Sequence, residues 1–141
     1  MANYTAPNAQ AMTARTNLSA GQPVTLHQRY VLGPTLQAGD TVQLFKVPAN
    51  ARIRGALAYA QKLDSGGSPT FSFQIGDSVS ATHIFGTQTI GQNGGQVEIA
   101  VSAAPKGFQF PTDDTVYMTV IAAAAAQVAG AYIDVYLDVY E

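Results

Sequence analysis

Cysteine is absent from the sequence, and with it disulfides, thiol nucleophiles and cysteine-based zinc sites. Charge is scarce. Asp, Glu, Lys and Arg make up 11% of the 141 residues, against about 25% in ordinary soluble domains. Ala, Thr, Gln, Ser and Gly stand where Lys and Glu usually sit. Such a surface does little to keep copies apart, and it suits a chain covered by copies of itself or by partners, so a homo-oligomer is expected. A basic excess is lacking as well. The net charge is −2, and the seven Lys and Arg are spread thinly from Arg15 to Lys106. That leaves no basic face for phosphates, so no nucleic-acid partner is expected. The longest apolar-looking stretch, residues 116–126, is broken by Thr119 and is too short to span a bilayer, so no membrane partner is expected either. Residues 1–5 lack a basic region followed by an apolar run, which points to a product made in the cytoplasm and not secreted.

Constellations for chemistry are also missing. His27 and His83 sit in separate segments, and Asp40, Asp77 or Asp113 would complete a metal site only by accident of folding. Asp113-Asp114 lacks the spaced carboxylates of a calcium loop and reads as a turn before a strand. Ser19, Ser65, Ser68 and Ser72 have no nucleophile-elbow setting. No Lys follows Gly91–Gly95 as it would in a phosphate loop. Glu98 and Glu141 are the only glutamates. Asp134 and Asp138 share a strand face roughly 13 Å apart, too far for a carboxylate pair. No catalytic, cofactor-binding or metal-binding residue is expected, and an enzyme is not.

What the chain does contain is alternation. In the segment 132–140, Ile133, Val135, Leu137 and Val139 fall on one side; Tyr132, Asp134, Tyr136, Asp138 and Tyr140 fall on the other. That is the pattern of a strand with one face buried and one half-wet, built from β-branched and aromatic residues that fit a pleated surface. Strands are expected at 24–32, 41–47, 52–61, 71–76, 96–101 and 115–122, with a short irregular one at 79–85. In 52–61, unbroken alternation would put Ile53, Gly55, Leu57 and Tyr59 on one face. In 96–101, Val97, Ile99 and Val101 would point inward. Turn formers separate these runs, with the strongest signal at Gly91–Gly95. The Ala-rich stretch 122–126 is too short for an isolated helix and reads as a hairpin connection. About eight strands with no amphipathic helix predict an all-β antiparallel sandwich of jelly-roll or Greek-key type over residues 23–141.

Residues 1–22 have neither strand nor helix period, and Pro7 and Pro23 bracket most of the segment. They read either as disordered or as an extended arm that orders on a neighbouring subunit, the second favoured because Tyr4, Met12 and Leu18 are spaced anchors. The expected interface residues are Tyr4, Met12, Arg15 and Leu18 of the arm, with Tyr132, Tyr136 and Tyr140 of the last strand. The tyrosine face has two readings, a surface packed on another subunit or strand and a platform for sugar rings.

The stretch Leu36-Gln37-Ala38-Gly39-Asp40, followed by the apolar run 41–47, Pro48, and Ala51-Arg52-Ile53, resembles a style found in small all-β proteins encoded beside the major capsid protein of tailed bacteriophages. A thin polar N-terminal segment and an Ala/Gly-rich loop before the last strand belong to the same style. The resemblance covers residues 24–62 and 112–140. It implies a virion structural protein, a capsid decoration (cement) protein in particular, jelly-roll-like, with a trimer favoured. It implies the major capsid protein as partner and the capsid exterior as location. The alternative from the residues is a glycan- or receptor-binding module of a tail or fibre.

Overall fold

The computed structural model describes residues 2–5, 24–98 and 108–140. Met12, Arg15, Leu18, Ile99, Val101 and Glu141 lie outside them. The described residues form nine strands: β1 (Asn3–Thr5), β2 (Val24–Val31), β3 (Thr41–Val47), β4 (Arg52–Ala60), β5 (Ser72–Gly76), β6 (Phe85–Gln88), β7 (Gly95–Glu98), β8 (Asp114–Ala122) and β9 (Tyr132–Tyr140). Their only helical element is a single 3-10 turn at Ile90–Gln92. The strands pair in two sheets, ordered β1-β3-β8-β5-β6 and β2-β9-β4-β7. All pairings are antiparallel except β1 on β3. The all-β sandwich expected from the sequence is the architecture found.

The core lies between the sheets. Leu26 and Tyr30 of β2 and Ile133, Val135, Leu137 and Val139 of β9 face Val42, Phe45 and Val47 of β3, Phe73 and Ile75 of β5, and Val116, Met118 and Val120 of β8. Burying each of the larger side chains contributes roughly 1.5–3 kcal/mol relative to exposure. β9 is flanked by β2 and β4, and its alternation is the one predicted. It pairs with β2 without a register break from Val24↔Val139 to Val31↔Tyr132.

Three local expectations are corrected. First, β4 does not alternate throughout. Its register on β9 jumps from Ile53↔Val139 to Gly55↔Asp138, leaving Arg54 as the extra residue of a β-bulge. The extra residue reverses the parity. Ile53 points inward before it, Ala58 and Ala60 point inward after it, and Leu57 and Tyr59 turn to the outer face. Second, the strand expected at 79–85 begins only at Phe85. The preceding residues fold back as a turn held by Asp77, whose Oδ1 accepts from the amides of Val79 (2.9 Å) and Ser80 (3.1 Å). That turn lies so close to Gly76 that a Cβ there would collide with the Ser80 carbonyl oxygen and the Ala81 backbone. Third, the Ala-rich stretch is no hairpin. It carries the chain from β8 in one sheet to β9 in the other.

That crossover is pinned by a buried carboxylate. Asp64 is fully buried, and its Oδ1 accepts from the amides of Gly66 and Ala126, both at 3.0 Å. Its Oδ2 accepts from Thr70 (2.8 Å), Ala125 (2.9 Å) and Phe71 (3.2 Å). Burial pushes this carboxyl up, but the amides of Ala126, Thr70, Ala125 and Gly66 outweigh it and hold it well below the usual carboxylate range. One side chain thus satisfies backbone donors of two loops that have no ladder of their own.

Candidate interaction surface

The outer faces of the two sheets differ in chemistry. On the β1-containing sheet Thr41, Gln43, Gln74, Thr115, Tyr117 and Thr119 are partly buried and uncharged, and charge is confined to Lys46 and Asp114 at one end of the β3–β8 pair. The other sheet carries aromatic and charged groups, placed in rows by the strand register. Thr25, Asp138 and Gly55 form one row; His27, Tyr136, Leu57 and Glu98 the next; Arg29, Asp134, Tyr59 and Gln96 the third.

Asp134 is the hub. Arg29 donates to it twice, Nε to Oδ1 and Nη2 to Oδ2, each at 2.8 Å. His27 Nε2 lies 3.0 Å from Oδ1. The Arg29 guanidinium carbon also sits 3.7 Å from the centre of the Tyr132 ring, and the His27 ring stacks on Tyr136 at 4.4 Å with an interplanar angle of 9°. The hydrogen bond from Arg29 pulls the Asp134 carboxyl below its ordinary range; burial opposes this, and His27 adds to it. Asp134 is buried while Arg29 and His27 are about half exposed. The cluster is therefore a rigid patch that presents one guanidinium, one imidazole and two tyrosine rings to the outside.

At the β4 bulge this face dips into a concavity of about 320 Å³ lined by Arg54, Gly55, Ala56, Leu57, Glu98, Tyr136 and Asp138. Asp138 Oδ1 accepts the Thr25 hydroxyl at 2.6 Å, while Oδ2 faces Gly55, where a Cβ would stand 3.7 Å away.

Of the interface residues expected from sequence, Tyr132 and Tyr136 fall in this patch, and Tyr140 lies at the far end of the same strand. Tyr4 is elsewhere. It sits on β1 and packs against the core of its own chain. Met12, Arg15 and Leu18 lie outside the described residues. His27, Arg29, Asp134 and Tyr59 were missed. The strand at 24–32 was expected, but the partner that gathers His27 and Arg29, Asp134, is more than a hundred residues away along the chain. Tyr59 was hidden by the bulge.

The acidic residues weighed as metal ligands accept from backbone and hydroxyl donors, within their own turn for Asp40 and across to other segments for Asp113 and Asp114. Asp40 Oδ2 accepts from Gln37 N at 2.9 Å, Asp113 Oδ1 from Ala49 N at 2.8 Å, and Asp114 Oδ2 from the Ser78 hydroxyl at 2.9 Å. His83 Nδ1 lies 2.7 Å from Asp77 Oδ2, and its ring leans on Phe108 at 4.0 Å. Among the described residues, no group of three or more such side chains could hold a metal ion.

No protein-family model matches the sequence, and neither does any curated protein. The fold itself is shared with chains of phage capsids. A chain in the capsid of Ralstonia phage GP4 matches with a TM-score of 0.82 at 25% identity, over 99% of this chain and 98% of that one. A chain in the capsid asymmetric unit of cyanophage Pam1 matches with a TM-score of 0.72 at 20% identity, over 90% and 94%.

Proposed function

We propose that this chain is a non-enzymatic structural protein of a phage virion, and within the virion a decoration (cement) protein that binds the outside of the assembled head as an oligomer. One observation carries this above the others, the end-to-end likeness to a chain of the GP4 capsid. Because 99% of one chain covers 98% of the other, the two are nearly equal in length. The likeness therefore runs the length of that chain and is not confined to one part of it. The charge-poor composition and the pre-ordered Tyr/Arg patch on the β2-β9-β4-β7 sheet support the same reading, since Tyr and Arg are enriched where protein interfaces are tightest. The major capsid protein is the partner, and a trimer is the favoured self-assembly.

The test is co-sedimentation of the purified protein with heads that lack it. Saturable binding at a fixed copy number is expected. Tyr132→Ala combined with Tyr136→Ala is expected to weaken it by about tenfold or more, the loss typical of interface anchors. Failure to bind heads at any concentration would overturn the assignment. The concavity beside Tyr136 favours one rival, a glycan- or receptor-binding module of a tail or fibre. That rival predicts saturable binding of a sugar, abolished by Tyr136→Ala with the oligomer intact.

A further inference from the structure

Among the described residues, the one parallel pairing is made by the shortest strand. β1 contributes three residues to the outer edge of β3, with Asn3 opposite Thr41, Tyr4 opposite Val42 and Thr5 opposite Gln43. The polar contacts that receive it come from β3 and the turn before it. Asp40, 3% exposed, offers Oδ1 to the Ala2 amide at 2.8 Å while its Oδ2 is held by the Gln37 amide. The Thr41 amide donates to the Ala2 carbonyl at 3.0 Å, and the Thr41 hydroxyl to Asn3 Oδ1 at 3.1 Å. Tyr4 closes the edge by packing on the core. None of these contacts requires that strand and socket belong to the same chain.

Chain length separates the two possibilities. Tyr4 of the docked strand packs against the buried cluster to which Tyr30, near the end of β2, belongs. Val24, where β2 starts, precedes Tyr30 by about 20 Å of strand. Joining Thr5 to Val24 within one chain therefore takes on the order of six extended residues. The sequence supplies residues 6–23, enough for a reach of roughly 60 Å. That excess is unneeded for closing β1 on its own chain, and it leaves span for reaching another copy.

We infer that residues 2–5 of one copy add to the β3 edge of a second copy, so that copies are joined by strand exchange through β1. The inference rests on the assembly reading above and names the surfaces that make it. Exchange replaces each contact by an identical one, so its cost lies in the linker and in bringing copies together.

The absence of cysteine makes the test clean. Asn3→Cys and Thr41→Cys are introduced together, and separately in two proteins that are then mixed. Both samples are oxidised mildly at a concentration where light scattering gives the mass. Exchange predicts covalent species of two or more chains from the double variant. It also predicts a two-chain product from the mixture that neither single variant forms alone. A double variant that yields only internally linked monomers, from a protein that scattering finds oligomeric, overturns exchange and leaves the assembly reading standing. A monomer by scattering overturns both. If the cysteines themselves loosen β1, deletion of residues 2–5 decides. Loss of the oligomeric mass with an unchanged far-UV spectrum is expected, and an unchanged mass refutes the inference.

Discussion

Asp64 offers the sharpest test of how this sandwich is held together, because one carboxylate serves five backbone donors from two loops. Asp64→Asn changes a single atom in size and shape only slightly. It leaves one acceptor oxygen where there were two, and it turns an NH₂ group toward amides that themselves donate. Either Gly66 and Ala126, or Thr70, Phe71 and Ala125, then lose their acceptor. Hydrogen bonds to a charged group are each worth about 1.5–3 kcal/mol, and stranding a buried donor costs about 1–3 kcal/mol. These contributions are not additive, and loop ends can regain water. A loss of about 3–4 kcal/mol is expected, a large share of the 5–15 kcal/mol typical of a domain. Asp64→Ala should cost about the same, since an amide is little better than nothing here. Urea unfolding at neutral pH reads the loss as a shift of midpoint at constant slope. The carboxyl is held below its ordinary value in the folded state. Its contribution is therefore complete above the unfolded carboxylate range and disappears as pH falls through the lower folded value. The gap between wild type and Asp64→Asn should accordingly shrink in acid. An Asp64→Asn midpoint equal to wild type at pH 7, or a gap that widens in acid, would refute the assignment of this carboxylate as the clamp.

Two further outcomes follow from the same contacts. Gly76→Ala should destabilise by about 2 kcal/mol or more or prevent folding, because the added methyl meets rigid backbone at Ser80 and Ala81 that has no side-chain freedom to yield; thermal unfolding reads it directly. Asp134→Asn should lower the urea midpoint by less than Asp64→Asn does, since its partners Arg29 and His27 are half-solvated; the depressed carboxyl again means that the difference fades as pH falls below the ordinary carboxylate range.

Much of the sandwich was legible in the chain. The strand at 132–140 was visible because a central strand whose inner face is buried has to alternate, and β9 does so without a break. β3, β5 and β8 were visible as short apolar runs between the Gly, Pro and Asp residues that end them, although β3 breaks its alternation at Leu44-Phe45, both buried, where its register on β8 shifts. The bulge at Arg54 was not visible. An extra residue in one strand leaves composition untouched and shows itself only as a register jump against β9. It decided that Leu57 and Tyr59 face outward, and so enlarged the aromatic patch. The reading of residues 122–126 as a hairpin failed because tight turns and sheet-to-sheet crossovers use the same small residues. What separates them here is Asp64, some sixty residues earlier in the chain.

The candidate surface divides in the same way. Sequence alone determined the class of molecule: all-β, charge-poor, free of cysteine chemistry, with tyrosines on the outer face of its last strand. Those properties reside in local periodicity and in composition, which every short window of the chain reports. Only the tertiary structure brought His27 and Arg29 onto Asp134, opened the concavity at Gly55, and set Ala2–Thr5 against the edge of β3. Each of these is a meeting of residues from distant segments, fixed by which strands pair and in what register. Pairing is settled by the collective burial of two sheet faces, and no local stretch of sequence encodes it.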